Sequence, residues 1–271
     1  MRKKLNLILA LILTLALAMP GMAFAEDSGY TFNAEKGVIE KYSGSATELV
    51  LPDAIDGVPV RGFSDWFLNY NNDIVTLTVP DGIEAINYFG SDMDKLEQVT
   101  LPSSLVYIGN GCFQSVDSLK NITIPAGVRY IGEFFVTYAK SLESVTFEGE
   151  CPVIMDSFQG MPYSTKVYVP DDQLEEYREV LENISCAGEI LPSGRNALPR
   201  EAKFVREDFD FDASTGTVTS YHGTDSVVEV PAEIDGVPVR AIGSKAFSSI
   251  PEVLFVSLPE GLEIICKDAF R

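Results

Sequence analysis

Residues 96–164 read LEQVTLPSSLVYIGNGCFQSVDS, LKNITIPAGVRYIGEFFVTYAKS and LESVTFEGECPVIMDSFQGMPYS, three blocks of 23 residues joined without a gap. Leu96, Leu119 and Leu142 open the blocks. Val99/Leu101, Ile122/Ile124 and Val145/Phe147 then alternate with polar residues, the period-2 pattern of a half-buried strand. Pro102 and Pro125 end that strand, because proline cannot donate to a ladder. A second apolar group follows (Leu105 and Ile108; Val128 and Ile131), and then Gly109 or Gly132, which the pattern assigns to a tight turn. Phe113, Phe135 and Phe158 close the blocks. One block is too small to bury its own apolar face, so neighbours must stack. The period predicts an α/β solenoid with one short parallel strand per turn.

Working outward, residues 74–95 form a block of the same kind, and residues 49–67, LVLPDAIDGVPVRGFSDWF, a longer opening one. The interval from Pro52 to Pro80 is 28 residues, against 22 and 23 for the next two. Asp56-Gly57-Val58-Pro59 is strong turn chemistry and accounts for the excess as an inserted turn. Before it, YTFNAEKGVIEKY at residues 30–42 reads as a hairpin turning at Glu35-Lys36-Gly37. After Ser164, TKVYVP gives another strand, and DDQLEEYREVLENIS at residues 171–185 reads as a helix. Asp171 and Asp172 suit its first turn, and Leu174, Tyr177, Val180 and Leu181 fall at helical spacing. Such a helix is expected to cap the stack. Residues 187–205, with two prolines and two glycines, read as a linker.

The chain then repeats on a larger scale. Phe211, Gly216, Tyr221, Pro231, Pro238 and Pro259 each stand 179 residues after Phe32, Gly37, Tyr42, Pro52, Pro59 and Pro80, and IDGVPVR occurs at residues 55–61 and 234–240. The expected organisation is a signal peptide at 1–25, a first array with its capping helix at 26–186, a linker at 187–205, and a second, apparently incomplete array at 206–271.

Arg2, Lys3 and Lys4, an apolar run over residues 5–18 and Ala23-Phe24-Ala25 make up the signal peptide, so export is expected, with no membrane insertion after its removal. All 40 acidic residues and 17 of the 20 basic ones follow it, a balance of −23 that disfavours nucleic-acid and anionic-membrane partners. The four cysteines, Cys112, Cys151, Cys186 and Cys266, show no zinc spacing. Cys112 precedes Phe113 and is expected to be a buried thiol, while Cys151 and Cys186 are candidates for a disulfide in an exported protein.

The blocks LxxVTLPxxLxxIGxxxF, and IDGVPVRAIGSKAF at residues 234–247, resemble the BspA-like leucine-rich repeat family of bacterial exported proteins. The likeness covers roughly residues 40–170 and 221–271. It implies a right-handed solenoid, and a secreted or cell-surface protein, some relatives acting in adhesion to host matrix proteins. The family's repeats define core positions and no catalytic residues, so no site carries over. Two departures stand out: Trp66-Phe67 near the place of Ala246-Phe247 in the second array, and Cys112 where the family places a small residue such as alanine.

No catalytic constellation is present: His222 is the one histidine, its first-array counterpart is Ser43, and the GxSxG, HExxH and phosphate-loop patterns are missing. The protein is therefore expected to be no enzyme and to need no cofactor or metal. Asp208, Asp210 and Asp212 lack the glycine and distant glutamate of an EF-hand loop and read as the wet side of a strand whose Phe209 and Phe211 turn inward. The candidate binding residues are instead the outward strand positions, one column of Thr76, Gln98, Asn121 and Ser144 and another of Thr78, Thr100, Thr123 and Thr146. Threonine also suits strands for structural reasons alone. Phe63, Trp66, Phe67 and Tyr70 are expected to pack in the core, with Trp66 as a stacking platform for sugar rings, beside Asn69, Asn71 and Asn72, the sharper alternative. The functional expectation is a binding or adhesion module for an extracellular protein or glycan. The alternative is a structural spacer displaying another part of a larger surface protein.

Overall fold

In the computed structural model the described residues are 29–184, 186–199, 203–250 and 253–271. The expected signal peptide and its cleavage site lie outside them.

Seven short strands, Glu48–Val50, Thr76–Thr78, Gln98–Thr100, Asn121–Ile124, Ser144–Phe147, Lys166–Val169 and Glu189–Pro192, form one parallel sheet in sequence order. Equivalent residues of successive turns pair: Leu77 with Val99, Ile122 with Val145, Val145 with Val167. The alternation read from the sequence is the cause, since these residues are buried while their neighbours face outward.

Each turn continues into a two-residue strand. Ala85–Ile86, Tyr107–Ile108, Tyr130–Ile131 and Val153–Ile154 form a second parallel sheet on another side of the solenoid, with the isoleucines inward. Gly109 and Gly132 follow these strands but are not in the left-handed region, so the tight-turn expectation needs correcting. A Cβ on Gly109 would stand 2.2 Å from Asn87 Oδ1, and one on Gly132 would stand 2.5 Å from Asn110 Oδ1. Those carboxamides accept hydrogen bonds from the backbone of the next turn, Asn110 N at 3.0 Å and Glu133 N at 2.8 Å. Glycine is required there by the asparagines of the turn before.

Among the described residues the third side has no strands. Neighbouring turns are linked there by backbone hydrogen bonds at alternate residues, such as Trp66 N to Tyr88 O, Leu68 N to Phe89 O and Tyr70 N to Ser91 O. Two columns of left-handed residues run along it: Trp66, Tyr88, Gly111 and Phe134, and Tyr70, Asp92, Ser115, Tyr138 and Gly160. Inside, Phe89, Phe113, Phe135 and Phe158 stack edge-to-face at 5.8, 5.9 and 6.1 Å, the spine formed by the aromatic that closes each block. Truncating one of these to alanine would cost about 3–5 kcal/mol.

Both opening hairpins form, Tyr30–Asn33 with Val38–Tyr42 and Phe209–Asp212 with Thr217–Tyr221, Phe209 being buried and Asp210 exposed as expected. The inserted turns are miniature hairpins, Ala54–Ile55 with Val58–Pro59 and Glu233–Ile234 with Val237–Pro238. Their central pairs, Asp56-Gly57 and Asp235-Gly236, all have positive φ, as the tightest right-twisting turn demands. The helix Leu174–Asn183 buries Tyr177 and Leu181, and the Tyr177 hydroxyl donates toward Gly149 O at 3.1 Å.

The expected linker differs in part. Its residues Glu189–Pro192 pair with Lys166–Val169 as the last strand of the main sheet, after the helix. Glycine and proline content hid a strand whose partner lies one turn back. The second array has its own core around Val218, Val228, Ile242 and Phe247, separate from the core of the first. Its strands Val227–Glu229 and Phe255–Ser257 repeat the start of the main sheet.

Candidate functional site

The eight candidate strand residues lie on one outer face. Thr76 pairs with Gln98, Gln98 with Asn121 and Asn121 with Ser144, and the column extends to Glu48 at one end and to Lys166 and Glu189 at the other. Thr78 pairs with Thr100 and Thr123 with Thr146, in a column ending in Val50 on one side and Tyr168 and Leu191 on the other. Gln98, Thr100, Asn121 and Thr123 are exposed, while Thr76, Thr78, Ser144 and Thr146 are half-buried. Ser144 Oγ donates to Asn121 Oδ1 at 2.6 Å. The result is a band of hydroxyls and carboxamides with charge confined to its ends, where Lys166 pairs with Glu189.

Trp66 does not belong to this face. It lies on the third, strandless side, exposed, with its ring 4.6 Å from that of Tyr88. The aromatic group divides: Phe67 is buried, Phe63 stacks on it at 4.7 Å, and Trp66 and Tyr70 point outward. Core packing was expected for all four. The left-handed backbone at Trp66 and Tyr70 is what turns those two out of the core.

The same outer face of the second array is occupied by the first array. The 179-residue offset places Val227, Glu229 and Phe255 at the positions of Glu48, Val50 and Thr76. Val227 is buried, and Phe255 packs against Tyr107 and Tyr130 at 5.4 and 5.7 Å, rings that themselves stack at 5.2 Å. Glu229 Oε1 accepts from Arg129 at 2.8 Å. Lys203 spans the seam, its Nζ 2.7 Å from both Glu84 of the first array and Asp225 of the second. Burial opposes that charge, but the two carboxylates more than compensate, and the Lys203 pKa is raised. Sequence reading missed this contact. Its signal was available: two outward positions that are polar in the first array become apolar in the second.

Cys112 is fully buried, as expected, and burial pushes its thiol up to about 12. Cys186 carries a free thiol, so the candidate bridge to Cys151 is not formed. His222 Nε2 lies 2.8 Å from Asp210 Oδ2 on the exposed hairpin. Among the described residues no group of three or more His, Cys, Asp or Glu side chains is arranged to hold a metal ion, and no helix is long and apolar enough to cross a membrane.

Among solved structures, the chain is similar to a leucine-rich repeat protein of Treponema pallidum, with 18% identity over 91% of this chain and 86% of that one and a TM-score of 0.41. It is similar to the pneumococcal vaccine antigen PcpA, at 19% identity over 66% of this chain and 49% of that one, TM-score 0.43. It is also similar to a leucine-rich cell surface protein of Faecalibacterium prausnitzii, at 16% identity over 92% and 77%, TM-score 0.30. No curated protein sequence matches it. A family described as BspA type leucine rich repeat region matches residues 42–180 in six copies, a span that takes in the turns of the first array up to the helix and ends within it. The chain belongs to the BspA-type leucine-rich repeat family.

Proposed function

We propose that this protein is an exported, non-catalytic binding module, and that the outer face of its seven-stranded sheet takes a protein partner outside the cell. One observation carries the reading: within this chain, the equivalent face of the second array is already a docking surface, seated on Tyr107, Arg129 and Tyr130 of the first. The first array's face has the same backbone geometry and is open. Its side chains are uncharged hydrogen-bonding groups held in register by the ladder, so little side-chain freedom is lost on binding. The surrounding balance of −23 beyond the signal region favours a basic partner and an association rate that falls as salt rises.

The test is a binding screen against immobilised extracellular-matrix proteins at physiological salt, with a Thr100→Lys/Thr123→Lys variant alongside. Both positions are exposed strand sites, so the variant is expected to fold. A saturable interaction lost in the variant supports the reading. An interaction that the variant leaves intact refutes the assignment to this face, and no interaction favours the spacer alternative.

A further inference from the structure

The strandless side of the first array carries exposed aromatic rings where its backbone least favours them. Trp66, Tyr70, Tyr88, Phe134 and Tyr138 all have positive φ, between 40° and 64°. That region is uncommon for any residue with a Cβ and an outlier for bulky ones. The same two columns hold Gly111, Asp92, Ser115 and Gly160 on other turns, so the fold accepts small residues there. Strained residues kept in place where unstrained ones fit mark a function.

Their arrangement is specific. Trp66 and Tyr70 form one outward pair, and Phe134 and Tyr138 form another three turns away, about 14 Å along the solenoid. Tyr70 is 71% exposed and Tyr138 49%. Between Tyr70 and Tyr138 that column drops to Asp92 and Ser115, while in the other Trp66 and Tyr88 lie together over Gly111, with ring carbons 3.7 and 3.1 Å from where its Cβ would be. Tyr138 lies over Gly160 in the same way, at 2.6 Å. These glycines let the rings lie along the surface instead of standing upright. Alongside runs a row of amides and carboxylates, with Asn87 Nδ2 donating to Asp65 Oδ1 at 3.3 Å and Asn110 below it. On the other flank Asn69 accepts from Ser91 and Asn72 from Asp94, which fixes both carboxamides.

We propose that this saddle binds a linear, uncharged polysaccharide, with the apolar faces of its sugar rings on the exposed aromatic rings and its hydroxyls on the flanking amides. Rings lying flat along a strip flanked by amides fit a chain that alternates apolar faces and hydroxyl edges. A protein partner is held instead by a few aromatic anchors packed into a desolvated centre, and here the rings lie flat between hydrogen-bonding flanks. The negative balance of the chain excludes anionic glycans. This site is separate from the sheet face and does not depend on it.

The test is affinity electrophoresis of the chain from Glu26 onward in gels containing a soluble β-glucan, a mannan or an N-acetylglucosamine oligomer, with alginate as the anionic control. The variant is Tyr70→Asn/Tyr138→Asn, because asparagine tolerates the left-handed backbone and removes only the ring. The expected result is retardation by at least one neutral glycan and none by alginate, weakened about tenfold or more in the double variant. Thr100→Lys/Thr123→Lys should retain it in full. An unchanged thermal midpoint in the tyrosine variant shows that the loss is not unfolding. Retardation that survives the double variant, or is lost only in the threonine variant, overturns the saddle assignment. So does the lack of any neutral-glycan binding, or a matrix-protein interaction that depends on Tyr70 and Tyr138.

Discussion

Arg129 of the first array and Glu229 of the second meet at 2.8 Å, with only 22% and 13% of their side chains exposed. Removing one partner of such a pair strands the other away from water, and at this partial burial the cost is about 1–3 kcal/mol. Glu229→Gln is therefore expected to loosen the seam while leaving both cores folded. Small-angle scattering should show a larger radius of gyration, and trypsin should cut faster at Lys203, which the closed seam holds between Glu84 and Asp225. An unchanged scattering curve and cutting rate would mean that the pair contributes nothing to docking.

Phe255→Thr makes the sharper test of the seam. It restores at that position the residue type of its first-array equivalent, Thr76, and removes the ring that bridges Tyr107 and Tyr130. Two ring contacts at about 0.5–1.5 kcal/mol each predict a docking loss of about 1–3 kcal/mol. With 11 tyrosines in the chain, emission cannot single out Tyr107 and Tyr130, so the seam is followed by hydrogen exchange of residues 106–108 and 129–131. Faster exchange confined to those segments is expected. Faster exchange throughout the second array would instead mark Phe255 as a core residue of that array.

Legibility in the sequence followed the physics of each side of the solenoid. Where one face is buried, period-2 alternation is forced, so the main-sheet strands as far as Lys166–Val169 and the phenylalanine spine could be read directly, and only Glu189–Pro192 escaped. Asp-Gly before Val-Pro gave both inserted turns, because few dipeptides accept two positive φ angles. The strandless side was not readable. Trp66, Tyr88, Gly111 and Phe134 share one backbone conformation but no chemical property, so no pattern marks the column. Gly109 looked like a turn residue, and only the structure shows the Asn87 carboxamide that excludes a side chain. The candidate set likewise divided, eight strand residues on one face and Trp66 on another, since sequence order does not show which side of a turn a residue faces.

The inserted turns give a prediction free of packing effects. A Cβ at Gly57 or Gly236 would meet nothing within 4 Å, while their φ angles are 79° and 76°. Alanine at either site therefore pays only the backbone penalty, about 1 kcal/mol. The two substitutions should lower stability equally, each in its own array, as resolved by denaturant melts with array-specific hydrogen exchange. Gly160→Ala should cost more, because its Cβ would also stand 2.6 Å from the Tyr138 ring. Equal losses at Gly57 and Gly160 would show that Tyr138 moves aside freely.

Cys112 contributes to how the first array responds to alkali, beside Tyr30, Tyr107, Tyr130 and Cys186, whose pKa values burial also raises. Burial raises its thiol from 9.0 to about 12, with bonds to backbone groups of Phe89 and Gly109 pulling weakly the other way. The folded protein thus holds this proton more tightly than the unfolded chain, whose thiol ionises near the ordinary value. The resulting stability is fully present below about pH 9 and is lost as pH rises toward 12, by about 1.4 kcal/mol per pH unit across that window. Cys112→Ala removes the titrating group, at a neutral-pH cost of about 1 kcal/mol for the lost buried sulfur. Denaturant midpoints measured from pH 8 to 11 should fall more steeply in the natural protein than in the variant, the two curves meeting at about pH 10 and crossing above it. The native thiol should also resist disulfide-exchange reagents at pH 8. Parallel curves, or rapid reaction of Cys112 in the folded protein, would show that the thiol reaches water and that the turn around Ile108 and Phe113 opens far more readily than its packing implies.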